Sequence, residues 1–180
     1  MKSWRPPSPD EIERGVPYSL QLSWAPGYPG AILAEPGTTV VRWHCRTEPS
    51  RSPYSPLNLL RKPDFVLLDH DEQEVLRIRR QTRVPPRFNI IENGTVVGTI
   101  RLRSILRNKY AISLEAGPIW TFRMPLFTVY FHGESSSNSR VWVVVGPSKR
   151  QWTLLAEAGS DDERLLAALA FIHREWWCYS

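Results

Sequence analysis

Between residues 77 and 109 the chain carries nine basic side chains, Arg77, Arg79, Arg80, Arg83, Arg87, Arg101, Arg103, Arg107 and Lys109, against one acid, Glu92. A guanidinium is a planar fork that bonds two oxygens at once, which suits phosphate and carboxylate. The spacing adds direction, because side chains alternate between the two faces of a strand. Where Leu76 and Ile78 face a core, Arg77 and Arg79 face out. Where Val96, Gly98, Ile100 and Leu102 face in, Arg101 and Arg103 face out. Tyr110, Ile112 and Leu114 likewise leave Lys109 outside. If these strands are neighbours, they carry an outer basic stripe. Arg77, Arg79, Arg101, Arg103, Arg107 and Lys109 are its candidate anion-binding residues. The plain alternative is a solvated face, since outer strand positions need polar residues and arginine is common there.

Other chemistry is sparse. Asp69, Asp71 and Glu74 could suggest a calcium loop, but the pattern requires Gly at the sixth position and Glu at the twelfth. Those positions hold Glu74 and Arg80, so a polar turn is expected. His44, His70, His132 and His173 lack metal-ligand spacing with a cysteine or with one another. His44 and Cys45 are adjacent, and adjacent strand residues point to opposite faces. The nucleophile-elbow, Walker and dinucleotide-binding patterns are all missing. No catalytic residue, metal site or cofactor is expected, and the chain does not read as an enzyme. Trp120, Trp142 and Trp152 fall within strands, where packing is the better reading than base stacking.

The composition allows a sizeable core: 42% of the 180 residues are apolar. The net charge of +5 favours anionic partners without choosing among them. Two cysteines, Cys45 and Cys178, are too few for a disulfide framework, which points to a reducing compartment. The opening MKSWRPPSPDEIERG lacks the apolar stretch of a secretory signal. No apolar run approaches the ~20 residues that span a bilayer. A cytoplasmic chain, able to sit peripherally at the inner membrane face, is expected.

Prolines divide the chain. Residues 1–16 read as a flexible Pro-rich tail and 17–180 as one domain, with 64–179 its clearest part. Strands are expected at Tyr18–Trp24 and Thr39–His44, then at Phe65–Leu68, Glu74–Arg79, Phe88–Glu92 and Thr95–Arg103. Asn93-Gly94 between the last two is a strong hairpin signal, since both residues tolerate the positive φ of a type I′ turn. Further strands follow at Tyr110–Glu115, Ile119–Arg123, Phe127–His132, Arg140–Val145 and Gln151–Glu157. Such short strands at regular spacing indicate a barrel or sandwich. The last element differs. Ser160 and Glu163 form a capping box ahead of LLAALAFI, a segment apolar on every face. Such a helix belongs in the interior, here inside the barrel, with Trp176 and Trp177 at its mouth.

The segments FVLLDHDEQEVLRIRR, PPRFNIIENGTVVGTI, RNKYAISL, VWVVVGPSKRQWTLL and DDERLLAALAFIHREWW, in that order, resemble the tubby C-terminal-like superfamily, closest to its LURP-one-related and phospholipid scramblase branch. The resemblance covers most of residues 64–177. It implies a mainly β (α+β) fold: a closed antiparallel barrel of about twelve strands around a buried C-terminal apolar helix. It also implies a non-enzymatic module that binds anionic lipid head groups, since tubby proteins bind phosphoinositides through a basic pair on the barrel. The cysteine-rich acylation stretch of scramblases is not matched, as Cys45 stands alone in its half of the chain. Their acidic segment before the last helix is reduced here to Gly159–Glu163. Besides lipid binding, the sequence leaves open a protein-interaction or structural scaffold, scramblase-like lipid handling and, as the least expected, nucleic-acid binding.

Overall fold

The structure is a computed structural model that describes residues 16–21, 30–33, 41–48, 64–82, 85–104, 109–123, 130–145, 151–156 and 162–177, with Ser8 and Asp10. The fold is mainly β. Its strands are β1 (Val16–Gln21), β2 (Gly30–Leu33), β3 (Val41–Glu48), β4 (Asp64–Leu68), β5 (Glu74–Thr82) and β6 (Arg87–Glu92). After them come β7 (Thr95–Ser104), β8 (Lys109–Leu114), β9 (Ile119–Arg123), β10 (Tyr130–Ser135), β11 (Arg140–Val145) and β12 (Gln151–Ala156). The helix α1 (Glu163–Trp177) ends the series. Every pairing is antiparallel. Neighbours follow chain order from β2 to β12, and β1 pairs with both β12 and β2, so the pairing order closes on itself.

From Asp64 on, most strands form close to where the alternation placed them, while β2 was not expected; two turns show why. Asn93 and Gly94 both have positive φ (49° and 78°), as a type I′ turn requires, and they join β6 to β7. Between β4 and β5, an Asp69 carboxylate oxygen accepts from the backbone N–H of Asp71 and of Gln73, each at 2.9 Å. Asp69 and Asp71 thus act as turn residues.

Several boundaries differ from expectation. β2 falls in the Pro/Gly-rich stretch and has only four residues, too few to show an alternation. β10 starts at Tyr130 and runs on to Ser135, whose hydroxyl accepts from the Ser139 N–H at 2.9 Å to close the polar hairpin. Val96 was expected to face in, yet it is 39% exposed. The register shifts between Ile90 and Ile91, so Ile91 pairs with Val96 while Ile90 pairs with Gly98. Val97 is the extra residue of this bulge and packs against the core, and inward parity begins only at Gly98.

The helix is capped by Asp162. Its carboxylate accepts from the Arg164 N–H at 2.8 Å, and its carbonyl accepts the first helical bond from Leu166 at 3.0 Å. The expected cap, Ser160, lies outside the described residues, as do Trp24 and most of the 1–16 tail; the side chains of Trp152, Trp176 and Trp177 do too. Partial burial pushes the Asp162 carboxyl up, but hydrogen bonds from the Arg164 side chain and backbone outweigh this and hold it below the usual range.

All eight residues from Leu165 to Ile172 are buried. They span more than two turns, so every face of the helix is covered. Arg164 feels the charges of Glu92 and Glu115, which flank the β6–β7 and β8–β9 turns. Two turns of helix later, the Phe171 ring packs edge-on against Phe65 and Phe88, residues near the starts of β4 and β6. The helix therefore runs along the sheet interior from its turn end to the opposite end. Its surroundings are the inward residues of β3 to β9 and β11, from Trp43 and Cys45 to Phe122 and Val141.

Gly133 shows how tightly that interior is filled. A Cβ on Gly133 would run into the Phe122 ring on the neighbouring strand. Gly133→Ala is therefore expected to lose about 1–3 kcal/mol of unfolding free energy, read by urea denaturation.

Candidate functional site

Strand order decides what the outer arginines face. The outward residues of β3, β4 and β5 interleave both signs of charge. Arg46 opposes Val66, which opposes Arg77; Glu48 opposes Asp64. Arg77 stands at the centre. It donates to Glu48 Oε2 at 2.7 Å and to Asp64 Oδ2 at 3.2 Å, and its Nε donates to Glu74 Oε1 at 2.8 Å. A further ion pair joins its Nη2 to Glu74 Oε2. Arg79 Nε donates to the same Asp64 oxygen at 2.9 Å. Arg46 Nε reaches Glu48 Oε1 at 2.9 Å.

This network revises the sequence reading. Arg77 and Arg79 do lie on the outer face, but their charge is already matched. Glu48 and Asp64 lie 29 and 13 residues from Arg77 in sequence, which hid them from a local count of charge. Asp64 is 2% exposed. A buried carboxylate is costly unless hydrogen-bonded to a cation, so its two arginines are structural partners. The hydrogen bond from Arg77 holds the Glu48 carboxyl below its ordinary range against partial burial. The bond Arg77 donates to Glu74, followed by those it donates to Glu48 and Asp64, holds its guanidinium firmly charged.

Beyond β5 the balance changes. Arg101, Arg103 and Lys109 are all exposed, as expected, and Arg107 lies outside the described residues. Arg103 is the extra residue of a second register shift, since Leu102 pairs with Tyr110 and Ser104 with Lys109. Two residues outside the six candidates join this group: Arg87, counted in the basic stretch but not chosen, and Arg123. Arg87 of β6 directly opposes Arg101 of β7, and Arg123 of β9 directly opposes Lys109 of β8. Directly opposed residues share a face with Cβ atoms ~5 Å apart, and like charges there repel. The outer surface of β6–β9 thus carries two like-charge pairs, Arg87–Arg101 and Lys109–Arg123. The sequence signal for each pair was its hairpin register, which a bulge shifts between β6 and β7 and which runs unbroken between β8 and β9. Arg80 points the other way: its guanidinium lies 5.9 Å from the centre of the Phe88 ring, and its Nε donates to the Thr82 carbonyl at 3.1 Å.

Nothing in the remaining described residues assembles chemistry. Cys45 is buried in the core, while its neighbour His44 lies on the opposite face of β3. Asp69, His70 and Asp71 cluster on the exposed turn, where an Asp69 oxygen is already used by the backbone. Trp120 is buried inside, and Trp142 is buried on the outer side, stacked at 12° on His132. No helix among the described residues is long and apolar enough to cross a membrane. No family model, curated protein or solved structure matches the chain.

The ion network gives a pH signature. Glu48 has a depressed folded pKa, so its contribution is fully present above the unfolded value near 4.5 and is lost as pH falls through the folded one. Glu48→Gln is expected to destabilise at pH 7, with the difference from wild type vanishing in strong acid. Arg77→Gln, which strips a buried carboxylate of a partner, is expected to cost about 3 kcal/mol, measured by the same denaturation at pH 7.

Proposed function

We propose that this chain is a tubby-like binding module, not an enzyme, that docks peripherally on an anionic membrane surface through the outer face of β6–β9. Its fold would be the closed twelve-stranded barrel of that superfamily, threaded by α1. The closed pairing order and the burial of the helix on every face support this assignment. The observation that carries the binding reading is the pair of like-charge oppositions, Arg87–Arg101 and Lys109–Arg123. A face that needed only solvation would gain from alternating signs, as β3–β5 demonstrates. Concentrating cations where they repel one another weakens the sheet unless an anion covers them. Arg101, Arg103, Lys109 and Arg123 therefore form the contact, and Arg77 and Arg79 are excluded from it.

Co-sedimentation with vesicles tests the proposal, using neutral, phosphatidylserine and phosphoinositide compositions at two salt concentrations. A basic side chain near an anionic surface contributes about 1 kcal/mol. Changing Arg101, Arg103, Lys109 and Arg123 together to Gln is expected to weaken binding at least about a hundredfold on that scale. Raising salt shortens the screening length, ~8 Å at physiological strength, and is expected to weaken wild-type binding in parallel. Binding of wild type to none of the vesicles at low salt would reject the lipid reading and leave a protein-interaction scaffold.

A further inference from the structure

Val66, Leu68 and Trp142 point outward from other strands of the sheet, yet they are only 0%, 3% and 2% exposed. Arg46 and Arg77 flank Val66, and His132 stacks on Trp142. Among the described residues, the large apolar side chains left exposed are Val96 at 39% and Ile119 at 48%. Both lie on the outer face of β6–β9. The bulge turns Val96 out, opposite Ile91, and Ile119 points away from the side of its buried neighbour Trp120. Ile119 ends the outer row Thr99–Ser113–Ile119, which holds no long polar side chain. The next outer row, ~7 Å along the strands, holds Arg87 and Arg101, and the row after it holds Lys109 and Arg123. The face that sets cations opposite cations is therefore also the face that leaves apolar side chains uncovered.

We propose that Val96 and Ile119 are apolar anchors that enter the boundary between head groups and acyl chains of a bilayer, so that the face of β6–β9 attaches by shallow insertion as well as by charge. The anchors rest on the anionic-surface reading and deepen it, because they name a contact that lies beneath the phosphates. Interfacial amphipathic surfaces bury their apolar side ~5–10 Å into that boundary. Long arginine and lysine side chains bend back to keep their charges at the head groups, while Val96 and Ile119 point into the apolar layer. Glu92 and Glu115 flank the nearby turns, and Arg164 lies close enough to interact with both charges. Thr99 and Ser113 stand between the two anchors. A folded partner is therefore offered no contiguous apolar patch of the kind that marks protein interfaces, whereas a fluid bilayer admits each side chain separately.

The full chain is labelled with an environment-sensitive fluorophore at Ile119→Cys, in a Cys178→Ser background, Cys45 being buried. Asp71→Cys, on the exposed β4–β5 turn, carries the same label for comparison. Each is mixed at low salt with phosphatidylserine-containing vesicles, with and without a nitroxide on the acyl chains. The label at 119 is expected to shift to the blue and to be quenched by the nitroxide, and the label at 71 to do neither. The unlabelled double variant Val96→Thr, Ile119→Thr keeps both branched side chains but loses apolar surface. It is expected to bind these vesicles at least about tenfold more weakly than wild type. It is expected to bind heparin, a soluble polyanion with no apolar layer, as wild type does. An equal loss of heparin binding would trace the defect to charge or folding and overturn the anchors. So would a label at 119 that stays unshifted on vesicles holding the protein, or vesicle binding by the double variant equal to wild type; in either case the charge-only surface reading stands. Binding of wild type to no vesicle at low salt would overturn both.

Discussion

Burial of the apolar helix is the constraint on which the other features depend. Leu165 to Ile172 leave no polar stripe, so no single flat layer could cover them. The sheet has to bring inward side chains to the helix from many strands, and β3 to β9 and β11 all contribute. Because the helix consumes the inner face, the strands keep only their outer face for polar chemistry. Alternation then follows along most strands, with bulges where two strands fall out of step; β4 is the exception, buried along its whole length. The polar start of the helix, Asp162 and Arg164, lies at the turn end, where Arg164 feels the charges of Glu92 and Glu115.

The outer face is divided electrostatically. On β3–β5, carboxylates and guanidiniums interleave, and the central Arg77 bridges three strands by bonding Glu48, Glu74 and Asp64. That region is a clasp across the strands, and Asp64 at its base is as buried as a core residue. On β6–β9 other rows of the outer face hold cations opposite cations. The two halves follow the same antiparallel pairing and differ in that β3–β5 pairs its cations with carboxylates while β6–β9 sets cations opposite cations. This contrast sorts the arginines more sharply than exposure does, since Arg79 is exposed and yet bonded to Asp64.

Much of this was legible in the sequence, for local reasons. Asn93-Gly94 announces its turn because few residue pairs tolerate two successive positive φ angles. LLAALAFI announces its burial because it offers water nothing. Leu76 and Ile78 announce the outward direction of Arg77 and Arg79. What stayed hidden depends on register between distant segments. The partners of Arg77 come from β3 and β4, and the opposition of Arg87 to Arg101 depends on a hairpin whose register slips by one at Ile90 and Ile91. The same slip turned Val96 outward. The helix cap fell to Asp162, where Ser160 was expected, because residues 160–162 are Ser-Asp-Asp, all three good caps, and local pattern cannot choose among them.

Native-state hydrogen exchange tests most directly whether the enclosed helix organises the fold. If the strands close around it, the amides of Leu165 to Ile172 can exchange only when the sheet opens. Their opening free energy should equal that of the inner β6 and β7 amides, and both should match global unfolding. Helix amides that exchange through a lower-energy opening, while the strands stay protected, would show a helix that docks and leaves independently. That result would contradict the account.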